Sequence, residues 1–276
     1  MRTPILPSLL ALGLLAGCNS PQPPKPKAPK IANSVSGTIL LREPRALGNN
    51  TTAYVKVVDA GQPSNVLAQT TIEHADKPPI AFTLPIDTAQ VNPRRTYAVE
   101  AKLIDGERRY LPVLQYPVLT RGAKSNVQII VAPEPTPAEK MYEAYKKAYA
   151  QIGSLKSVSG SALKEHSSVA WDAFYTNGKI MVVREITDLD NNQGQIVMHM
   201  AYKDGKPWVV VKQESSGEGA RPFATTKAGW DAAGKLVLKD QLSHGQTGTV
   251  SEDDAKDLYA HAEQALKTAE AKLPKH

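Results

Sequence analysis

The strongest constraint on how this chain folds is a strict two-residue alternation of apolar side chains, repeated through short segments and interrupted by proline-rich stretches. "VSGTILLRE" puts Val35, Gly37, Ile39 and Leu41 on one face, and "TAYVKVVDA" alternates through Ala53, Val55 and Val57. "PIAFTLPI" and "TYAVEAKLID" do the same with Phe82, Leu84 and Ile86, then Val99, Ala101 and Leu103. A period of two is the mark of a half-buried strand, because successive side chains leave a strand on opposite faces. With "VLAQTTIE", "RYLPVLQYPVL" and "NVQIIVA", about seven short strands precede residue 132, separated by turn residues at Asn49-Asn50, Gly61-Gln62-Pro63-Ser64 and Asp105-Gly106. That spacing predicts an all-β, immunoglobulin-like sandwich over residues 34–132, with a loop or one-turn helix between Asp87 and Arg94.

A second proline break, "APEPTPAEK" (Ala132–Lys140), separates this half from a different pattern. Thr136, Pro137 and Glu139 read as N-cap, first helical residue and capping-box partner. Met141, Tyr145, Ala148, Tyr149 and Ile152 then recur at helical spacing. Ser251 and Asp254 open a second helix, whose apolar stripe runs through Ala255, Leu258, Ala262, Ala265, Leu266 and Ala269. Between them lie β segments with turns at Asn177-Gly178-Lys179, Asp204-Gly205-Lys206 and Ala233-Gly234-Lys235. Asn-Gly and Asp-Gly favour type I′ hairpins because both central residues take positive φ. Residues 137–276 are therefore expected to form an α+β domain, an antiparallel meander with one helix at each end.

The first 33 residues are set apart from both domains. Arg2 and the apolar run "ILPSLLALGLLAG" have the length of a secretory signal, too short to span a bilayer. Leu15, Ala16 and Gly17 before Cys18 form the lipobox pattern of bacterial lipoproteins, which predicts cleavage after residue 17 and a lipid on Cys18. Cys18 is the only cysteine, so disulfides contribute nothing and stability must come from apolar cores. Asn19 is not the aspartate associated with inner-membrane retention, so the expected location is the periplasmic face of the outer membrane. Residues 18–33, with prolines at 21, 23, 24, 26 and 29, make an extended tether at roughly 3.1 Å per residue.

The net charge of +6 belongs wholly to residues 1–137, since residues 138–276 are balanced. Some of that excess is tether lysine, and export argues further against a nucleic-acid partner. No metal, cofactor or catalytic set is expected. The six histidines (74, 166, 199, 244, 261 and 276) contain no HxxxH pair. "TDLDNNQG" has His199 where a calcium loop starting at Asp188 needs glutamate. Ser161, Lys164 and His166 sit close together in a serine-rich stretch, expected to be a loop, without a nucleophile elbow. The aromatic weight of the second half suggests a binding surface of Trp171, Tyr175, Tyr202, Trp208 and Trp230, on a sheet face left free by helices packed on the other.

"VSGTILLREPRAL", "AYVKVVD", "PIAFTLPID" and "VNPRRTYAVEAKLIDG", in that order, resemble the YbaY/YscW-type lipoprotein domain over roughly Ile31–Val131, under half of the chain. That family includes type III secretion pilotins, one of which holds the tail of a secretin subunit and carries it to the outer membrane by its own lipid. The resemblance implies a β fold and a non-enzymatic, chaperone-like role for an outer-membrane or secretion-system protein, reached through the membrane by the lipid on Cys18. The second domain, absent from the short pilotins, leaves open an inhibitor or enzyme carried there, for example in a cleft lined by Ser161, His166 and a carboxylate. A structural spacer is the remaining alternative.

Overall fold

The computed structural model describes residues 31–190 and 193–274. Leu15, Ala16, Gly17 and Cys18, the tether up to Lys30, and Asn191-Asn192 lie outside the described residues.

The N-terminal half contains eight strands: β1 Ser34–Leu41, β2 Thr52–Asp59, β3 Gln62–Ile72, β4 Ile80–Pro85, β5 Tyr97–Asp105, β6 Arg108–Pro112, β7 Tyr116–Val118 and β8 Asn126–Pro133. The Ig-like pair of sheets with about seven strands is replaced by one hydrogen-bonded path, β3-β2-β5-β6-β8-β1-β4, with β7 beside β5. The joint is β6: Tyr110 faces both Leu103 of β5 and Pro133 of β8, so no gap separates two sheets. β1 and β8 run parallel, and the other pairs are antiparallel. The path closes over one core, to which the alternating positions of every strand but the β3 edge give a fully buried side chain, among them Val35, Val57, Leu84, Leu103, Tyr110, Val118 and Ile129. Each such side chain contributes about 1.5–3 kcal/mol on burial.

Two local readings change. Gln62 and Pro63 belong to β3, not to a turn; the turn is Ala60-Gly61, where the Asp59 carboxylate accepts the Gly61 N–H (3.0 Å). "RYLPVLQYPVL" is not a single strand. Pro112 and Pro117 cannot donate ladder hydrogen bonds, and the chain leaves the sheet between β6 and β7, at Val113–Gln115.

The C-terminal half runs α1 Pro137–Tyr149, β9 Lys156–Lys164, β10 Ser167–Thr176, β11 Lys179–Leu189, β12 Gly194–Lys203, β13 Lys206–Ser215, β14 Ala224–Trp230, β15 Leu236–Ser243, β16 Gln246–Thr249 and α2 Glu252–Glu270. The strands follow one another in an antiparallel meander, β16 to β9. Asn177-Gly178 (φ 50° and 72°) and Asp204-Gly205 (φ 52° and 73°) are both left-handed at both turn positions. His244-Gly245 makes a third such turn. Ala233-Gly234-Lys235 is different: only Gly234 has positive φ, and the Asp231 carboxylate holds the loop by accepting the Ala233 and Lys235 N–H groups, each at 2.9 Å. The serine-rich stretch expected as a loop is the outer strand β9.

The helices cover opposite faces of this sheet. Val182, Ala201, Val209, Val211 and Leu238 pack under α1, whereas Val183, Met200, Tyr202, Val210 and Trp230 pack under α2. Adjacent residues such as Val182-Val183 are buried on opposite sides, so β11 to β13 read as continuous apolar runs. A sheet face left free by the helices, as the sequence suggested, is therefore not present over the central strands.

Three residues join the two halves, and among the described residues one ion pair links them. Arg108 of β6 donates through both terminal nitrogens to the Glu139 carboxylate, and Glu139 also accepts the Thr136 N–H (2.9 Å). The same carboxylate thus caps α1 and ties it to the first sheet. The Arg108 guanidinium holds the Glu139 carboxyl below its ordinary range.

Candidate functional site

A broad concave surface lies on the outside of β2 and β5. Because Ala53, Val55 and Val57 face the core, Tyr54 and Lys56 face outward, and the antiparallel register sets Tyr54 beside Lys102 and Thr71, and Lys56 beside Glu100 and Gln69. Lys56 Nζ is 2.9 Å from Glu100, and Lys102 Nζ lies 4.8 Å from the centre of the Tyr54 ring. These contacts fix the floor. One wall is the segment that leaves the sheet between β6 and β7, with Leu111, Pro112, Leu114 and Gln115; the other is β3, with Pro63, Gln69 and Thr71. Together they enclose an open groove of about 940 Å³.

Its lining is mixed apolar and polar. Leu114 on one wall is 67 % exposed and Tyr54 on the floor is more than a third exposed, beside a Lys56–Glu100 pair and a Lys102 ammonium that lies over the Tyr54 ring. β3 is the end strand of its sheet and runs eleven residues, Gln62–Ile72, without one charged side chain. Edge strands are normally guarded by charge, and an unguarded one offers its free N–H and C=O groups to an added strand. None of these residues carries a functional signal in the sequence, where Gln62 and Pro63 read only as turn residues. The signal that could have found Leu114 is the pair of prolines flanking it, which forces an apolar segment off the sheet.

The five aromatic residues expected as one binding surface are divided between the two faces of the C-terminal sheet. Tyr202 is 2 % exposed; its hydroxyl donates to the Ala262 carbonyl of α2 (2.8 Å), and burial pushes its pKa far up. Trp230 is 7 % exposed and meets Tyr259 edge-on at 4.9 Å. Trp171 and Tyr175 pack on the α2 side, Trp171 over Gly160, while Trp208 packs on the α1 side. Tyr202 and Trp230 therefore fill core instead of presenting a surface. Trp208 and Trp230 do come together at one end of the sheet with Met141 and Tyr259, around a hollow of about 470 Å³ rimmed by Lys203, Lys206 and Asp231.

The residues weighed for chemistry do not converge. Ser161 lies within β9, and His166 sits at the exposed turn after it, 3.8 Å from the equally exposed Glu165. Among the described residues, no three His, Cys, Asp or Glu are grouped to hold a metal ion. His199 is instead a structural link between sheet and helix. Its Nδ1 and Nε2 lie 3.3 Å and 3.1 Å from the hydroxyls of Tyr145 and Tyr149 on α1, and its ring stacks on Tyr149 at 4.4 Å. Burial, with the Arg184 guanidinium nearby, pushes the His199 pKa down to about 4.

Comparison with known proteins bears on the groove-bearing half. No curated protein sequence matches the chain. A pilotin described as an alternative pilotin of the type II secretion system of Vibrio cholerae is 25 % identical, with the alignment covering 38 % of this chain and 98 % of that one at a TM-score of 0.35. A 9R-lipoxygenase from Cyanothece PCC8801 is 12 % identical over 86 % of this chain and 45 % of that one, with a TM-score of 0.24. Residues 30–131, and no other part of the chain, match the YscW family, the type III secretion system lipoprotein chaperones.

Proposed function

We propose that this chain is a lipid-anchored envelope protein that holds a segment of a secretion-system protein, without catalysis, in the groove on β2 and β5. The observation that carries the reading is the coincidence of two features on residues 30–131: similarity to lipoprotein chaperones, and a groove with Tyr54 and Leu114 exposed beside an uncharged edge strand. In this reading the partner segment lies extended in the groove over β2 and β5, between β3 and residues 111–115, and places apolar side chains against Tyr54 and Leu114. Cys18 carries the lipid, the proline tether lets the groove stand off the periplasmic face of the outer membrane, and anchoring concentrates the partner there. The partner chemistry follows from the floor: Lys56 and Glu100 neutralise each other and Lys102 lies over the Tyr54 ring, so the segment is selected by apolar side chains, with one acidic group favoured beside Lys102.

The test is a titration of the mature chain with the fluorescently labelled C-terminal peptide of a secretin from the same cell, followed by anisotropy. Saturable binding, weakened about tenfold by Leu114→Asp, is expected, since losing one apolar anchor of this kind costs about 1.4 kcal/mol or more. Absence of binding, or binding indifferent to Leu114→Asp, overturns the reading.

A further inference from the structure

The eight-stranded C-terminal sheet has two ends, and they differ. β16 is only four residues long, which leaves little backbone for another strand to pair with. β9, at the other end, is nine residues long and, among the described residues, pairs with β10 alone. Between its terminal lysines, Lys156 and Lys164, it carries no charge, proline or bulge, and most of its residues are exposed. Just inside that terminal lysine stands Leu163, at 89 % the most exposed large apolar side chain among the described residues.

The order of residues in β9 says which strand fits there. Lys-Ser-Val-Ser-Gly-Ser-Ala-Leu-Lys is close to its own reverse about Gly160. An antiparallel pair of β9 strands related by a two-fold axis at Gly160 sets Ser159 against Ser161 of the second copy, Val158 against Ala162, and Ser157 against Leu163. Each pair is small or apolar and lies on the matching face. Val158 is on the α2 side and the serine row with Leu163 is on the α1 side, as the register with Ala173 and Phe174 requires. Serine pairs and Val–Ala pairs are favourable cross-strand neighbours, and the only like charges that meet are the lysines at the exposed ends, where salt screens them. The Trp171 ring already occupies the space over Gly160, so the α2 face is sealed at the position where the two-fold axis would pass.

We infer that β9 is a self-association edge: two copies of this chain join through β9 into one continuous sixteen-stranded sheet. This surface lies on the half of the chain without the groove, and its test is separate from that of the proposed function.

The experiment uses the mature chain with Cys18→Ser, so that no native thiol is present. Sedimentation velocity up to about 200 μM is expected to show mass rising toward that of a dimer, as a small edge interface implies. Ala162→Lys, which places a charge opposite Val158 twice per dimer, returns the chain to monomer. Ser159→Cys with Ser161→Cys in one chain, oxidised mildly, gives a covalent dimer whose disulfides join residue 159 of one copy to residue 161 of the other, a linkage that only this register makes. A chain that stays monomeric throughout the range overturns the inference. So does a dimer that survives Ala162→Lys and yields no covalent dimer from the cysteine pair.

Discussion

Two glycines in strands lie under aromatic rings of the neighbouring strand, and they show what single residues enforce. Phe82 is the direct partner of Gly37, and Trp171 of Gly160. A Cβ on Gly37 would overlap the Val127 carbonyl oxygen of β8 and come within 2.9 Å of the Phe82 ring. The obstacle on one side is backbone, which cannot move aside without breaking the β1–β8 ladder. Gly37→Ala is therefore expected to destabilise the chain by about 3 kcal/mol, read as a fall in the urea midpoint. His199 sets a second residue-scale expectation. Its folded pKa of about 4 lies below the ordinary 6.5, so the unfolded chain binds the extra proton first as pH falls. The stabilising effect of the neutral ring is complete above about pH 6.5 and is lost as pH falls toward 4. After discounting for partial exposure, about 2 kcal/mol should disappear over that window. Urea melts at both ends of the window check it: His199→Gln should narrow the difference by that amount. Gly37 is visible in the sequence as an interruption of an apolar face, but the ring that covers it belongs to a strand far along the chain. His199 reads as an ordinary strand histidine until α1 is folded over it.

Elements whose determinants are local were the most legible. Thr136 and Glu139 form the capping box that starts α1, and Ser251 accepts the Asp254 N–H at the start of α2. Thr136→Ala should cost about 1 kcal/mol, seen as a lower thermal midpoint of the C-terminal half. What remained hidden was Arg108. Its contact with Glu139 joins residues 31 apart, one on β6 and the other on α1, and nothing local to "GERRY" indicates it. A double-mutant cycle with Arg108→Ala and Glu139→Gln is expected to give a coupling of about 0.5–1 kcal/mol, small because Glu139 is 46 % exposed. The sequence of β9 looks like a loop for a related reason: a run of serines around a glycine carries little strand signal, and the strand exists because Trp171 covers Gly160 and β10 supplies the ladder. Conversely, "RYLPVLQYPVL" looked like one strand because its alternation is good. Two prolines without N–H groups decided otherwise, and the apolar segment they expel forms a wall of the groove.

For the whole molecule, alternation in the first half and continuous apolar runs in the second separate a sheet wrapped on one core from a sheet covered on both faces. The first face pattern is legible in the sequence; the second lies in Val182-Val183 and Val209-Val210-Val211, adjacent apolar residues that a strand buries on both faces only when a helix covers each. Location is a further expectation at this scale. Cys18→Ala should leave the chain in the soluble envelope fraction after membrane sedimentation, whereas the unaltered chain should pellet with membranes. The most direct measurement of the central claim is hydrogen–deuterium exchange on the mature chain, with and without a saturating secretin C-terminal peptide. Slowed exchange confined to β3 (Gln62–Ile72) and residues 111–115 is the result predicted. Unchanged exchange there, or protection that falls instead on the C-terminal sheet, would contradict the groove as the seat of the partner.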